Sequence, residues 1–147
     1  SAGVELKYQN TTKLATTAYG ANISAGTTTH TAGEAISQYH AVGYTTTGTA
    51  SRIYKLDADA TNRYSLVGIA AHAISSGASG EIYTVPGTVI TNASWSFSQG
   101  LPVYVSTTAG GLTTTKPTTS GAYAIIVGFA ASTTSLVLQP MTFSIIA

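Results

Sequence analysis

Gly77-Ala-Ser-Gly-Glu-Ile-Tyr-Thr-Val-Pro-Gly-Thr-Val-Ile-Thr-Asn92 is the stretch on which the fold of this chain turns. Gly77 to Gly80 is a turn signal, Glu81 to Val85 an extended run, Pro86-Gly87 a second turn, and Thr88 to Asn92 extended again. The same punctuation continues on both sides. Upstream, Tyr39 to Thr45, Arg52 to Asp57 and Tyr64 to Ile74 read as strands, with Asp57-Ala-Asp-Ala-Thr-Asn62 as a turn whose short Asx side chains bond their own backbone. Downstream, Trp95 and Phe97 alternate with serines, Leu101 to Val105 follows Gly100, Ala109-Gly-Gly111 turns, and Tyr123 to Ala130 and Ser135 to Leu138 close the series. Turn signals spaced roughly 8 to 12 residues apart predict an all-β chain, a single barrel or sandwich. No window keeps apolar residues at helical spacing.

Composition agrees. Only 7% of the 147 residues are charged, and threonine and serine fill much of the gap. Threonine is β-branched, which favours extended backbone and hydroxyl-lined surfaces. After Arg63 the full charges are Glu81 and Lys116. A formal net charge of +1 with scattered basic residues gives no basic patch for nucleic acid. With no cysteine, disulfides and thiolate metal sites are excluded. The apolar run Ala122 to Ala131 is too short for a membrane helix, and SAGVELKYQN lacks the pattern of a signal peptide.

Residues 1–38 read differently from the rest. Val4, Leu6 and Tyr8 alternate with Glu5 and Lys7 as a short amphipathic strand. Residues 11–38 are rich in Thr, Ala and Gly with weak patterning and read as a long loop or extended arm. The expected organisation is therefore an N-terminal strand and arm over 1–38, and a β-barrel or sandwich over 39–147.

Val67-Gly-Ile-Ala-Ala71 is echoed by Val127-Gly-Phe-Ala-Ala131, with Val42-Gly-Tyr44 a weaker third copy. A glycine inside an apolar strand marks a bulge, a bend or a close backbone approach. The reading adopted is three strands bending at similar barrel corners. Duplication is the alternative, and no domain boundary is drawn from it.

Motifs for chemistry are sparse. Asp57, Asp59, Thr61 and Asn62 imitate the start of a calcium loop, but its sixth and twelfth positions hold Asn62 and Gly68 where Gly and a carboxylate are needed. His30, His40 and His72 lack metal-ligand spacing. There is no G-x-S-x-G elbow, and the carboxylates Glu5, Glu34, Asp57, Asp59 and Glu81 read as strand-face or turn charges. Gly77-Ala-Ser-Gly80 opens a strand and has no following lysine, unlike a phosphate-binding loop. Nine tyrosines leave carbohydrate contact open. Asn10, Asn22 and Asn92 head glycosylation sequons that a Thr/Ser-rich chain produces readily by chance. No catalytic, cofactor or metal site is expected.

The words Tyr54-Lys-Leu-Asp-Ala-Asp59, Leu66-Val-Gly-Ile-Ala-Ala71, Gly77-Ala-Ser-Gly-Glu-Ile-Tyr83, Pro86-Gly-Thr-Val89, Gly100-Leu-Pro-Val-Tyr-Val-Ser106, Ala109-Gly-Gly-Leu-Thr113, Ile126-Val-Gly-Phe-Ala130 and Leu136-Val-Leu-Gln-Pro140 follow one another in order. This stretch resembles the head decoration (cement) proteins of tailed bacteriophages and related virion modules. The resemblance implies a compact barrel or tulip-like β domain without catalysis, a homotrimer on the capsid surface, and the major capsid protein as partner. No nucleic acid, membrane or small-molecule ligand is implied.

The ends of the chain fit an assembly role on their own terms. Met141, Phe143 and Ile145 alternate up to Ile146-Ala147, and an apolar strand there needs a partner, either its own sheet edge or a neighbouring subunit. Val4, Leu6 and Tyr8, followed by an arm, suit strand addition. These six residues are the candidate assembly interface. The alternatives are a receptor- or carbohydrate-binding module of a tail fibre, using Tyr side chains or Trp95 in a groove, and a subunit of a self-assembling extracellular filament.

Overall fold

The computed structural model describes residues 5–8, 11–17, 20–22, 26–63, 65–141 and 144–146, with side chains from residue 26 onward except that of Ser144. Among these residues there is no helix; the chain is all-β. Strands β1 (Glu5–Tyr8), β2 (Thr11–Thr17) and β3 (Gly20–Asn22) form an antiparallel sheet of their own. Next come β4 (Thr27–Ala32), β5 (Ala41–Tyr44), β6 (Arg52–Lys55), β7 (Ser65–Ala70) and β8 (Ser79–Tyr83), which close into a barrel in the order β4-β6-β5-β7-β8. A second five-stranded sheet, a half-barrel, takes the order β11-β10-β13-β14-β9. Its strands are β9 (Val89–Thr91), β10 (Pro102–Val105), β11 (Leu112–Thr113), β13 (Ile126–Ala130) and β14 (Ser135–Leu138). The short strands β12 (Tyr123–Ala124) and β15 (Ser144–Ile145) pair with each other.

The segment 11–38 is a correction to the sequence reading. It carries β2, β3 and β4, and β4 is a stave of the barrel, antiparallel to β8 and parallel to β6. The weak patterning has a physical cause: of Thr27 to Ala32 only Ala32 is buried, so this stave shows no apolar alternation.

The two five-stranded units have one topology. Listed from the first strand of each, the barrel runs β4-β8-β7-β5-β6 and the half-barrel β9-β14-β13-β10-β11. They also share an irregularity. Val42 pairs with Gly68 and Gly43 with Leu66, so Val67 bulges from β7. Val103 pairs with Gly128 and Tyr104 with Ile126, so Val127 bulges from β13. At Gly68 a side chain would strike the carbonyl oxygen of Tyr83, and at Gly128 that of Val137, the equivalent residue. Loop bonds repeat as well: Ala70 donates its N–H to His40 O at 2.9 Å and Ala130 to Leu101 O at 3.0 Å. Thr84 donates to Gly26 O and Leu138 to Thr88 O in the same way. The echo of Val67–Ala71 in Val127–Ala131 is therefore an internal repeat, and not merely three strands bending alike. Val42-Gly43 is no third copy; it lies on β5, the strand against which β7 bulges.

The units differ in closure. The end of β4 reaches β6, with Thr31 beside Arg52 and Ala32 beside Ile53. Strand β9 stops at Thr91, because Asn92 turns the chain: its Oδ1 accepts from Ser94 N–H at 3.0 Å and its carbonyl from Trp95 N–H at 3.0 Å. The half-barrel stays open, and the barrel occupies it. Ala32, Val42, Ile53, Ala70 and Ile82, one from each stave, fill the barrel interior with Ile36 and Ile74. Alternate residues Ala41 and Ile69 point outward, where they join Leu56 and Ala58 in a core with Ile90, Phe97, Val103, Val127, Ala130, Leu136 and Leu138 of the half-barrel unit. Each aliphatic side chain buried as fully as Leu136 contributes about 1.5–3 kcal/mol. Trp95, read as part of a strand, instead lies in the connection, edge-on to Tyr39 at 5.4 Å and tilted against Phe97 at 4.9 Å.

Candidate functional site

The six residues expected at an assembly interface fall into three groups. Val4 and Phe143 lie outside the described residues. Leu6 and Tyr8 stand on β1, opposite Leu14 and Thr11 of β2; their side chains are likewise outside the description. Met141 and Ile145 are on view and exposed, at 49% and 63%. Both lie beside backbone pairing within the chain. Met141 donates its N–H to Ile126 O at 3.1 Å, and β15 pairs with β12, Ile145 opposite Tyr123. The C-terminal strand thus completes a local sheet while leaving its apolar side chain in solvent.

A second exposed apolar group was missed by sequence reasoning. Across four strands of the half-barrel, Pro102 faces Phe129, Phe129 faces Val137 and Val137 faces Val89. All four point away from the core shared with the barrel. Val89 is 62% exposed and Phe129 37%, and Leu101 beside Pro102 is exposed too. Apolar residues on both faces of β13 were the available signal, but the row appears only once three strand registers are known.

Charge is concentrated at one place on the barrel. Glu34, just beyond β4, accepts from Lys55 N–H at 2.8 Å and from Arg63 Nη1 at 3.0 Å, and its other oxygen lies 3.7 Å from Lys55 Nζ. This half-buried carboxylate ties the end of β4 to β6 and to the 57–63 turn. In that turn Asp57 Oδ1 accepts from Asp59 N–H at 3.3 Å. Burial, reinforced by a side-chain hydrogen bond with Asp59 and by the Asp59 negative charge, outweighs the Asp59 N–H bond and the Arg63 guanidinium and pushes the Asp57 carboxyl up to about 6. Ala58 is fully buried in the half-barrel, its N–H donating to Ser106 O and its carbonyl accepting from Tyr123 N–H.

The histidines do not converge. His30 Nε2 bonds Thr28 Oγ1, His40 Nδ1 accepts from Ser37 N–H, and His72 Nε2 accepts from Glu81 N–H. Burial and the nearby Lys55 ammonium lower the His40 pKa against a smaller opposing pull from Glu34. Among the described residues no three His, Asp or Glu side chains are placed to hold a metal ion. A groove of about 290 Å³ is lined by hydroxyls of Ser106, Thr113, Thr115 and Thr119 with Lys116 and Pro117, and no aromatic ring borders it. Trp95 is engaged with Tyr39 and Phe97 instead.

Comparison with known proteins finds no matching family model, no matching curated protein and no matching solved structure.

Proposed function

We propose that this chain is a non-enzymatic structural protein of a tailed-phage virion, which decorates the capsid surface and stabilises it by binding across neighbouring capsid subunits. The observation that carries this reading is Ile145. Its strand, β15, is already paired with β12 within the chain, and its side chain stands 63% exposed on a surface with few charges. A paired strand presenting an apolar side chain is suited to packing against a protein partner, and Met141 adds to it. The resemblance across Tyr54 to Pro140 supplies the kind of partner, the major capsid protein.

The mechanism is mechanical. Each contact is weak, but a homo-oligomer that engages several capsomers at once gains avidity by repetition. Apolar and hydroxyl contacts are little affected by screening, so binding varies little between low and moderate salt. Co-sedimentation of the purified protein with phage heads that lack it tests the reading. Salt-tolerant binding, weakened by Ile145→Lys, is expected; no binding to heads at any salt concentration would refute it.

A further inference from the structure

The two units of the repeat differ beside β6 and β11. Gly43 pairs with Tyr54 on the barrel, and its equivalent Tyr104 pairs with Thr113, so Thr113 holds the place of Tyr54. The turn next to each is the same: Thr45 Oγ1 accepts from Thr47 N–H and Ser106 Oγ from Thr108 N–H, both at 3.0 Å. On the barrel this place is closed. The Tyr54 ring lies so near Gly33 and Gly48 that a side chain on either would strike it, and its hydroxyl accepts from Thr49 N–H at 2.7 Å. On the half-barrel the ring is absent, and the groove of about 290 Å³ opens beside Ser106 and Thr113. Residues 115–119 line the rest of it. Thr113 Oγ1 accepts from Thr115 N–H at 3.0 Å and Pro117 is buried, so this segment is held in place before any ligand arrives.

We infer that this groove binds a single acidic sugar residue, such as a hexuronate, with Lys116 on its carboxylate. Charge, hydroxyls and size choose the ligand. Lys116 is the only full charge after Glu81, is exposed at the groove, and has no ion pair or hydrogen bond among the described residues. No Asp or Glu lines the groove, so the ammonium is left for an acid group from outside. The side-chain hydroxyls of Thr107, Thr118 and Thr119 are likewise unbonded among the described residues. A hydroxyl both donates and accepts, which matches the hydroxyls of a sugar. The volume lies at the lower limit of small-molecule sites and admits one ring, as the equivalent place on the barrel holds one ring. With no aromatic face to stack on, a neutral sugar lacks an anchor here, and the charge supplies the selectivity. This inference stands apart from the capsid reading, for neither Met141 nor Ile145 lines the groove.

The test is titration of the isotope-labelled full chain with sodium glucuronate, glucose and inorganic phosphate, followed through amide shifts by NMR. Glucuronate is expected to move the amides of residues 106–119 and to saturate with a Kd on the order of 1 mM. Glucose and phosphate should each bind at least about tenfold more weakly, since each offers only part of the ligand's chemistry. Lys116→Gln should erase the preference for glucuronate over glucose, and Lys116→Arg should keep it. Thr113→Tyr gives the half-barrel the ring that the barrel has, and should abolish binding. The spectra themselves establish that each variant folds. No saturable shift at 106–119, or glucuronate binding unchanged in Lys116→Gln or in Thr113→Tyr, would overturn the proposal. So would phosphate binding as tightly as glucuronate, since the groove would then select an anion and not a sugar.

Discussion

Tyr39 and Gly100 occupy the same place in the two units. Each has a positive φ, 67° and 80°, and each donates its N–H to the equivalent alanine carbonyl, Tyr39 to Ala70 and Gly100 to Ala130, both at 2.8 Å. One unit meets the left-handed conformation with glycine. The other accepts the strain of a tyrosine there, and the Tyr39 ring, packed on Trp95, offsets it.

Substitution should separate these two solutions. Gly100 has open space around it, so Gly100→Ala costs only the backbone strain, about 1 kcal/mol. Tyr39→Gly relieves the same strain but removes an aromatic packed against the shared core, and a net loss of about 2 kcal/mol is expected. Urea denaturation of the two variants measures both.

The bulge glycines answer to a different cause. Gly68 and Gly128 face the carbonyls of Tyr83 and Val137, which belong to sheet backbone and cannot swing aside. Gly68→Ala and Gly128→Ala should each destabilise by about 3 kcal/mol, well beyond Gly100→Ala. Equal midpoints for Gly128→Ala and Gly100→Ala in the same denaturation series would contradict the close approach.

How much of this was legible in the sequence depends on what each element buries. Ser135–Leu138 reads directly, since Leu136 and Leu138 face the core and their neighbours do not. Thr27–Ala32 does not, because a stave with one buried residue leaves no periodic trace. Trp95 and Phe97 show a strand's alternation, but the Asn92 turn breaks the ladder before them and the rings become packing between units. The repeated Val-Gly word was visible; its meaning lay in the partners of Gly68 and Gly128, which only register reveals. Met141 and Ile145 were conspicuous in the sequence as part of an apolar alternation. Pro102, Phe129, Val137 and Val89 were not, for they come from four separate strands.

Glu34 should act as a tie among β4, β6 and the 57–63 turn. Glu34→Ala removes a charged acceptor from Lys55 N–H and Arg63, and a loss of about 2 kcal/mol is expected. Glu34→Gln keeps an acceptor oxygen and should lose less. Thermal melting at neutral pH compares them.

Asp57 gives the chain a pH dependence of definite sign. Its native carboxyl holds a proton up to about pH 6, whereas in the unfolded chain it releases it near the ordinary carboxylate value. Between these values the native state binds more protons, so this group makes the protein less stable as pH rises from about 4 to about 6, with no further change above. His40 opposes it, since a lowered imidazole pKa favours the native state less as pH falls below the usual histidine range. The clean measurement is melting temperature against pH for wild type and Asp57→Asn. The variant should gain on the wild type as pH rises through this window; a constant difference would show that Asp57 does not titrate as described.

The most direct test of the proposed role is where the chain sits on the native particle. Gold-labelled antibody against it, viewed on intact phage by electron microscopy, should mark the whole head lattice if it decorates the capsid. Label confined to the tail tip, or absent from particles, would contradict the account.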